Sequence, residues 1–244
     1  MTSPGPAPAE RRPKPPSVPL PDPEALAALR SAGVEDRLAE RLAVYAALVL
    51  DANRRLNLTG AKTGAAFAAH MLDALTLRND VQTPLIDVGS GNGLPGIPLA
   101  LASGARVTLL EPIKKRAAFL TTALTALGLD GEAVAARAED AARDPAYRER
   151  FRTATARAVG SAPAVAELTV PFLALGGRAL LQRGSLDAVE RDAVSDAALV
   201  LGATLVEERP IDGERRLLIL EKDRPTGPRF PRKNGIPTKR PLCS

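Results

Sequence analysis

The chain has 244 residues, a formal net charge of +5 and a pI near 9.7. Its single Cys and single His rule out an intramolecular disulfide and leave little material for a His-based metal site or a Ser-His-Asp triad, so no metal is expected. No apolar run approaches the roughly 18 residues of a membrane span, and the N-terminus lacks the apolar h-region of a secretory signal, so a cytoplasmic protein without membrane contact is expected.

Hydrophobic residues make up 45% of the chain but aromatics only 3%, with no Trp, so the core must be built from Leu, Val, Ile and Ala. Residues 1–23 are rich in Pro and cannot bury apolar surface; a disordered arm is predicted. Asp22-Pro23-Glu24 then reads as a helix start, an N-cap acid followed by Pro at the first helical position. That helix runs to Gly33. A longer one follows, with Leu38, Leu42, Tyr45, Val49 and Ala52 on one face. It ends before the turn Asn57-Leu58-Thr59-Gly60. A third helix from about Thr63 carries Phe67, Met71 and Leu75, and residues 24–82 form an N-terminal helical segment. His70 lies on that helix among core-like neighbours, which favours a hydrogen-bonded structural role over a catalytic one.

After Pro84 the period changes. Leu85-Ile86-Asp87-Val88 reads as a buried strand and Arg106–Glu111 as a second, followed by a helix over 113–128. Strands are predicted at 133–138, 153–158 and 178–182, and helices at 163–175 and 186–201. Strands at 203–209 and 215–221 flank Asp212-Gly213, a hairpin signal. Strands alternating with helices imply an α/β fold with a mostly parallel sheet, and the hairpin adds an antiparallel C-terminal strand. The core domain is placed at 83–222. The remainder, 223–244, is a basic Pro-rich tail with Arg224, Arg229, Arg232, Lys233, Lys239 and Arg240. Its prolines exclude a regular helix, and an extended arm is expected whose cations Arg232, Lys233, Lys239 and Arg240 suit the phosphates of a nucleic acid.

Asp87-Val88-Gly89-Ser90-Gly91-Asn92-Gly93-Leu94-Pro95-Gly96 stands between the first core strand and a helix. Glycines let a ligand approach the backbone, and in open α/β sheets ligands bind at the carboxyl ends of strands. A nucleotide-like cofactor follows. Gly91 to Gly96 fits G-x-G-x-x-G, which alone would suggest NAD(P). The earlier glycines, Gly89, Gly91 and Gly93 behind Asp87, instead resemble the loop of S-adenosylmethionine methyltransferases. Glu111, ending the second strand, can accept hydrogen bonds from ribose hydroxyls. Glu139 and Asp140 could meet the adenine edge.

The continuation Leu94-Pro95-Gly96-Ile97-Pro98 carries a narrower resemblance. The loop is similar to that of the glucose-inhibited division protein B family, the bacterial 16S rRNA guanine-N7 methyltransferases also called ribosomal small-subunit methyltransferase G. Asn57-Leu58-Thr59 resembles the family's N-L-T turn, and His70 to Leu75 its H-x-L-D-S-L helix with Ala74 in place of Ser. Arg157-Ala158 resembles its S-R-A segment, Gln182-Arg183-Gly184 stands where the family has L-K-G, and Asp212-Gly213-Glu214-Arg215 resembles its D-G-x-R hairpin. The segment Ala136-Arg137-Ala138-Glu139 departs from S-R-V-E, and Val159 stands where Phe is frequent.

The resemblance implies a Rossmann-like class I methyltransferase fold and S-adenosyl-L-methionine as cofactor. It implies Gly89 and Leu94 in the cofactor loop, Ala138 and Glu139 near the adenine, and Arg157 beside the methionine end or the target. It also implies methylation of guanine N7 in the decoding-site loop of 16S rRNA. N7 has a lone pair and no proton, so no general base is needed. An Asn/Asp-Pro-Pro-Tyr/Phe motif is absent, and Cys243 in the tail is a poor nucleophile candidate. Arg157 and Arg183 could hold phosphate or the guanine edge. The partner expected is 16S rRNA or the small subunit, and nothing demands more than a monomer. Two other readings stand beside this one, a nicotinamide-dependent oxidoreductase and a non-catalytic RNA-binding or assembly factor.

Overall fold

A computed structural model describes residues 18–157 and 160–243. Residues 1–17, most of the predicted disordered arm, lie outside the described residues. So do Ala158 and Val159 of the motif at the end of the fourth strand.

Three helices open the described chain: α1 (Pro23–Ser31), α2 (Asp36–Leu56) and α3 (Gly64–Leu75). Local chemistry sets their ends. The Asp22 carboxylate accepts the Ala25 N–H and caps α1, whose first residue is Pro23, and Thr63 caps α3 through the Ala66 N–H. Asn57 closes α2 in the left-handed region, φ 49°. The faces predicted from spacing are the buried ones: Leu42, Tyr45, Val49 and Ala52 on α2, and Phe67, Met71 and Leu75 on α3. His70 is the exception. It is exposed, and its ring meets Phe67 edge-on at 6.4 Å between centroids. The expectation of a hydrogen-bonded core histidine is corrected, because α3 turns His70 away from the face that Phe67 and Met71 bury.

The sheet has seven strands: β1 (Leu85–Val88), β2 (Val107–Leu110), β3 (Gly131–Val134), β4 (Phe151–Ala156), β5 (Leu173–Arg183), β6 (Ala203–Asp212) and β7 (Arg215–Lys222). They lie in the order β3-β2-β1-β4-β5-β7-β6. The first five pair in parallel, and β7 inserts antiparallel between β5 and β6. The chain moves outward one way from β1 through β2 and β3, and the other way through β4 and β5. The switch point is therefore beside the carboxyl end of β1, where open α/β sheets form their ligand crevices.

Helices cover both faces. On one side α1, α2 and α3 join α4 (Gly96–Ser103) and α5 (Lys114–Ala126) over Leu85, Val107, Leu109, Leu180, Leu217 and Ile219. On the other, α6 (Ala138–Ala141), α7 (Ala162–Thr169) and α8 (Ala188–Leu201) cover Ile86, Val88, Ala154, Leu181, Leu218 and Leu220. Adjacent strand residues enter opposite cores because strand side chains alternate, which is why β1 is wholly buried and reads as an unbroken apolar run.

Several boundaries differ from the predicted ones. The strand predicted at 133–138 ends at Val134, and Ala138 instead starts α6. The helix predicted at 163–175 stops at Thr169, and β5 begins at Leu173. Tertiary pairing overrode local preference in that case, since Leu173 pairs with Phe151. The largest difference is the tail. Residues 223–243 lie along the α6–α7 side of the core rather than extending from it, and they include one helical turn, α9 (Ile236–Lys239). Two arginines hold that path by taking its carbonyl groups. Arg148 donates to the Thr226 oxygen at 2.7 Å and the Phe230 oxygen at 2.9 Å, and Arg143 donates to that of Pro231.

Candidate active site

The glycine loop follows β1 and turns into α4. Gly89, Gly91 and Gly93 all have positive φ, at 73°, 57° and 103°. A side chain at Gly91 would meet nothing closer than 3.9 Å, so its backbone conformation is what requires Gly there. At Gly96 the reason is contact: a Cβ would stand 2.7 Å from that of Asp87 and 2.6 Å from the Leu109 side chain. Gly96 therefore lets α4 pack directly on β1 and β2.

Six of the loop's N–H groups already have protein acceptors. Gly89 and Ser90 donate to the Leu110 oxygen at 2.8 and 3.0 Å, and Gly93 donates to that of Ser90 at 2.7 Å. Gly91 donates to Glu111 Oε2 at 2.9 Å, Leu94 to Asn92 Oδ1 at 3.3 Å and Gly96 to Asp87 Oδ2 at 3.1 Å. A loop that cradles pyrophosphate needs these amides free and no carboxylate against them. Here two carboxylates, Asp87 and Glu111, hold them. The arrangement therefore disfavours a dinucleotide and suits a cofactor that brings hydroxyls and a positive charge.

The two acids are themselves fixed. Glu111 is buried, its Oε1 accepting the Ile113 N–H at 2.9 Å. Each carboxylate oxygen keeps lone pairs beyond the one its amide uses, which is what ribose hydroxyls require. Asp87 is wholly buried, and its Oδ1 has no hydrogen-bond partner. Burial pushes its carboxyl up to about 7, against the Gly96 amide and the positive charge of Arg157, which act to lower it. An orphaned acid oxygen and a pair of anchored carboxylate oxygens are the acceptors an S-adenosylmethionine site needs.

A cavity of about 140 Å³ opens beside the loop, lined by Val88, Gly89, Leu110, Pro112, Ala138 and Glu139 among others. It is smaller than the roughly 300–1,000 Å³ of a pocket for a whole ligand, so it suits one part of a larger molecule. Glu139 is buried at its rim and the Ala138 side chain is among its walls. Of the residues expected around the cofactor, Gly89, Ala138 and Glu139 thus line one cavity, and Glu111 meets the same loop through the Gly91 amide.

Arg157 directly follows β4 and is half-buried. Its charge reaches Asp87 and also Tyr45, a buried phenol that donates to the Asn92 oxygen at 2.9 Å. Arg157 Nη1 is 3.7 Å from Asp73 Oδ2 on α3. The same carboxylate receives Gln182 Nε2 at 3.2 Å and Arg215. Four segments distant in sequence, those of Asp73, Arg157, Gln182 and Arg215, therefore meet on one acid at the carboxyl end of the parallel sheet.

The predicted RNA contacts divide. Arg183 donates to the Gly160 oxygen at 2.7 Å and to Glu190 at 3.0 Å, so in this conformation its guanidinium tethers the loop after β4. Arg232 pairs bidentately with Glu167, an acid buried completely within α7. In this conformation its guanidinium is engaged, because a buried carboxylate needs its partner and Arg232 is that partner. Lys233, Lys239 and Arg240 are exposed.

Sequence reasoning missed the support beneath the loop. Asn53 Oδ1 accepts the Leu58 and Thr59 N–H groups at 2.6 and 2.9 Å, and Asn92 Nδ2 reaches the Leu58 oxygen at 3.3 Å. The turn is held by Asn53 more than by Asn57. Glu167 was also missed, although an acid inside the otherwise apolar Ala-Pro-Ala-Val-Ala-Glu-Leu segment was a visible signal. Among the described residues no group of three or more His, Cys, Asp and Glu stands together as a metal could be held, and no helix is long and apolar enough to cross a membrane.

Likeness to known proteins decides the family. A family model described as rRNA small subunit methyltransferase G matches residues 38–218. The chain belongs to that family. Ribosomal RNA small subunit methyltransferase G of Rubrobacter xylanophilus is 44% identical over 211 residues, 80% of this chain and 81% of that one. Its counterpart from Pelotomaculum thermopropionicum is 40% identical, covering 81% and 88%. Among solved structures, the mitomycin 7-O-methyltransferase MmcR superposes with a TM-score of 0.51 at 14% identity, covering 65% of this chain and 56% of that one. A mutant of MtNAS in complex with S-adenosylmethionine superposes at 0.50 and 14% identity, covering 84% and 85%. At such identities these two speak for the fold alone. The expected family, the Rossmann-like fold and S-adenosylmethionine-dependent methyl transfer are borne out, and the oxidoreductase and non-catalytic readings are not favoured.

Proposed function

We propose that this methyltransferase G family member methylates N7 of one guanine in the decoding-site loop of 16S rRNA. The observation that carries the reading is the convergence of two sets of groups on the switch point of the sheet. Glu111 and Asp87 hold the glycine loop and Glu139 lines the cavity beside it, while Arg157, whose charge reaches Asp87, pairs with Asp73.

When bound, S-adenosylmethionine supplies an electrophilic methyl on a sulfonium. Guanine N7 presents an unshared pair and loses no proton on methylation, so the chain has only to position the base. Positioning alone can supply up to roughly 7–11 kcal/mol of a barrier. Arg157 is suited to hold the base, because it offers a planar donor fork, half-buried, whose charge reaches Asp87 at the root of the loop. Glu111 would hold the ribose and Glu139 the adenine edge. Cys243 is exposed near the C-terminus and takes no part. The reading carries with it a cytoplasmic, monomeric protein whose site holds no metal.

Labelled S-adenosylmethionine with 16S rRNA, and with small subunits lacking the modification, tests the proposal. Labelled 7-methylguanosine in the digested RNA is the expected product. Cofactor binding with no transfer to either substrate would overturn it.

A further inference from the structure

The cavity beside the glycine loop has a wall that no motif announced. Gly235 and Thr238, from the C-terminal segment, line it together with Gly89, Leu110, Ala138 and Glu139. The Gly235 N–H donates to Glu139 Oε1 at 2.7 Å, and Asn234 Nδ2 donates to Asp140 Oδ2 at 2.9 Å. This stretch is not loosely laid on the surface. Just before it, Arg232 is clamped to the fully buried Glu167, and its Nη2 also donates to the Arg240 oxygen at 2.6 Å, closing the segment on itself.

We infer that residues 233–240 form the outer wall of the adenosine-binding site, and that the Gly235 amide fixes the Glu139 carboxylate so that its second oxygen faces the exocyclic amine of the purine. The inference rests on the reading of this cavity as part of the S-adenosylmethionine site. Its chemistry is simple. A carboxylate with one oxygen already tied presents the other in one orientation, and an amine donor is its match. Gly235 is suited to the post because its φ is +76°, a conformation that Gly or Asn adopts at little cost and other residues do not. The segment is thus a binding element for the cofactor rather than a free arm.

Titration calorimetry of S-adenosylmethionine into full-length variants tests this. Gly235→Pro removes the amide donor and forces φ to negative values. It should weaken cofactor binding by about tenfold or more, while Gly235→Asn, which keeps the amide and tolerates the left-handed region, restores most of it. A proline variant that is folded by circular dichroism and binds as tightly as the unsubstituted chain overturns the inference. Hydrogen exchange on the unsubstituted chain gives a second arm that does not depend on a variant folding. Saturating S-adenosylmethionine should slow exchange at the amides of 235–240 as well as at those of the glycine loop. Protection of the loop alone overturns the wall. No heat of binding and no protection at either place overturns the cofactor site itself.

Discussion

The Asp73 carboxylate on α3 stands 3.7 Å from the Arg157 guanidinium at the end of β4, and it holds Arg215 and Gln182 as well. One acid thus ties α3 to the ends of β4, β5 and β7. Asp73 touches none of the residues placed at the adenosine, so it is a positioning residue. Asp73→Asn should lower kcat by about ten- to a hundredfold and leave the Kd for S-adenosylmethionine within about twofold. A matching loss of cofactor affinity would make Asp73 part of general folding instead. Arg157→Lys keeps the charge but not the planar fork and should fall between Arg157 and Arg157→Ala in single-turnover rate.

Glu111 accepts two backbone N–H groups, one from Gly91 and one from Ile113. Glu111→Ala removes the proposed ribose acceptors and leaves both amides unpaired. The Kd for S-adenosylmethionine should rise by about ten- to a hundredfold, on the scale of roughly 1–3 kcal/mol for lost buried hydrogen bonds. Equilibrium dialysis reads this directly. An unchanged Kd would move the ribose elsewhere.

Asp87 sets a pH dependence of stability. Burial raises its carboxyl to about 7 in the native chain. The native state therefore binds this proton more tightly than the unfolded state does. Its contribution is full below about pH 4 and is lost as pH rises through 7. The stability of the unsubstituted chain relative to Asp87→Asn should accordingly fall by a few kcal/mol between about pH 4 and about pH 8, measured by denaturant unfolding without cofactor. A flat difference would mean that Asp87 is ionised in the fold. Lys222, which burial lowers to about 8, acts in the opposite sense at higher pH, because there the unfolded state holds the proton more tightly. Comparing the two chains cancels its effect.

Lys233, Lys239 and Arg240 are exposed cations of the C-terminal segment. Replacing all three by Gln should reduce the slope of log affinity for rRNA against log salt by about 0.7–0.9 for each phosphate no longer neutralised. Replacing Arg232 should instead lower the melting temperature, since it strands the buried Glu167. A slope that the triple variant leaves unchanged would remove these three residues from the RNA interface.

The glycine loop is legible in the sequence because its chemistry is local. Gly89, Gly91 and Gly93 signal a turn that needs positive φ, and Asp87 and Glu111 each stand at or beside the end of an apolar run. Helix caps at Asp22 and Thr63 are legible for the same reason, as each is a side chain bonding to an amide three residues on. His70 misleads because its neighbours in sequence are core residues, whereas its exposure depends on where α3 turns against the rest.

The tail shows the division most sharply. Composition alone determined that residues 223–244 are basic and broken by Pro, and so cannot form a long helix. It could not reveal that Glu167 lies buried in α7 and demands a cation, nor that Glu139 presents an oxygen to the Gly235 amide. Sequence by itself determined the elements, the cofactor loop and the family, because these rest on short-range patterns and motifs. Only the tertiary structure decided which arginines are engaged, which acid gathers the distant motifs, and that Gly235 and Thr238 line the cavity beside the glycine loop. Those depend on charges that must find partners once burial takes water away, and burial exists only in the folded chain.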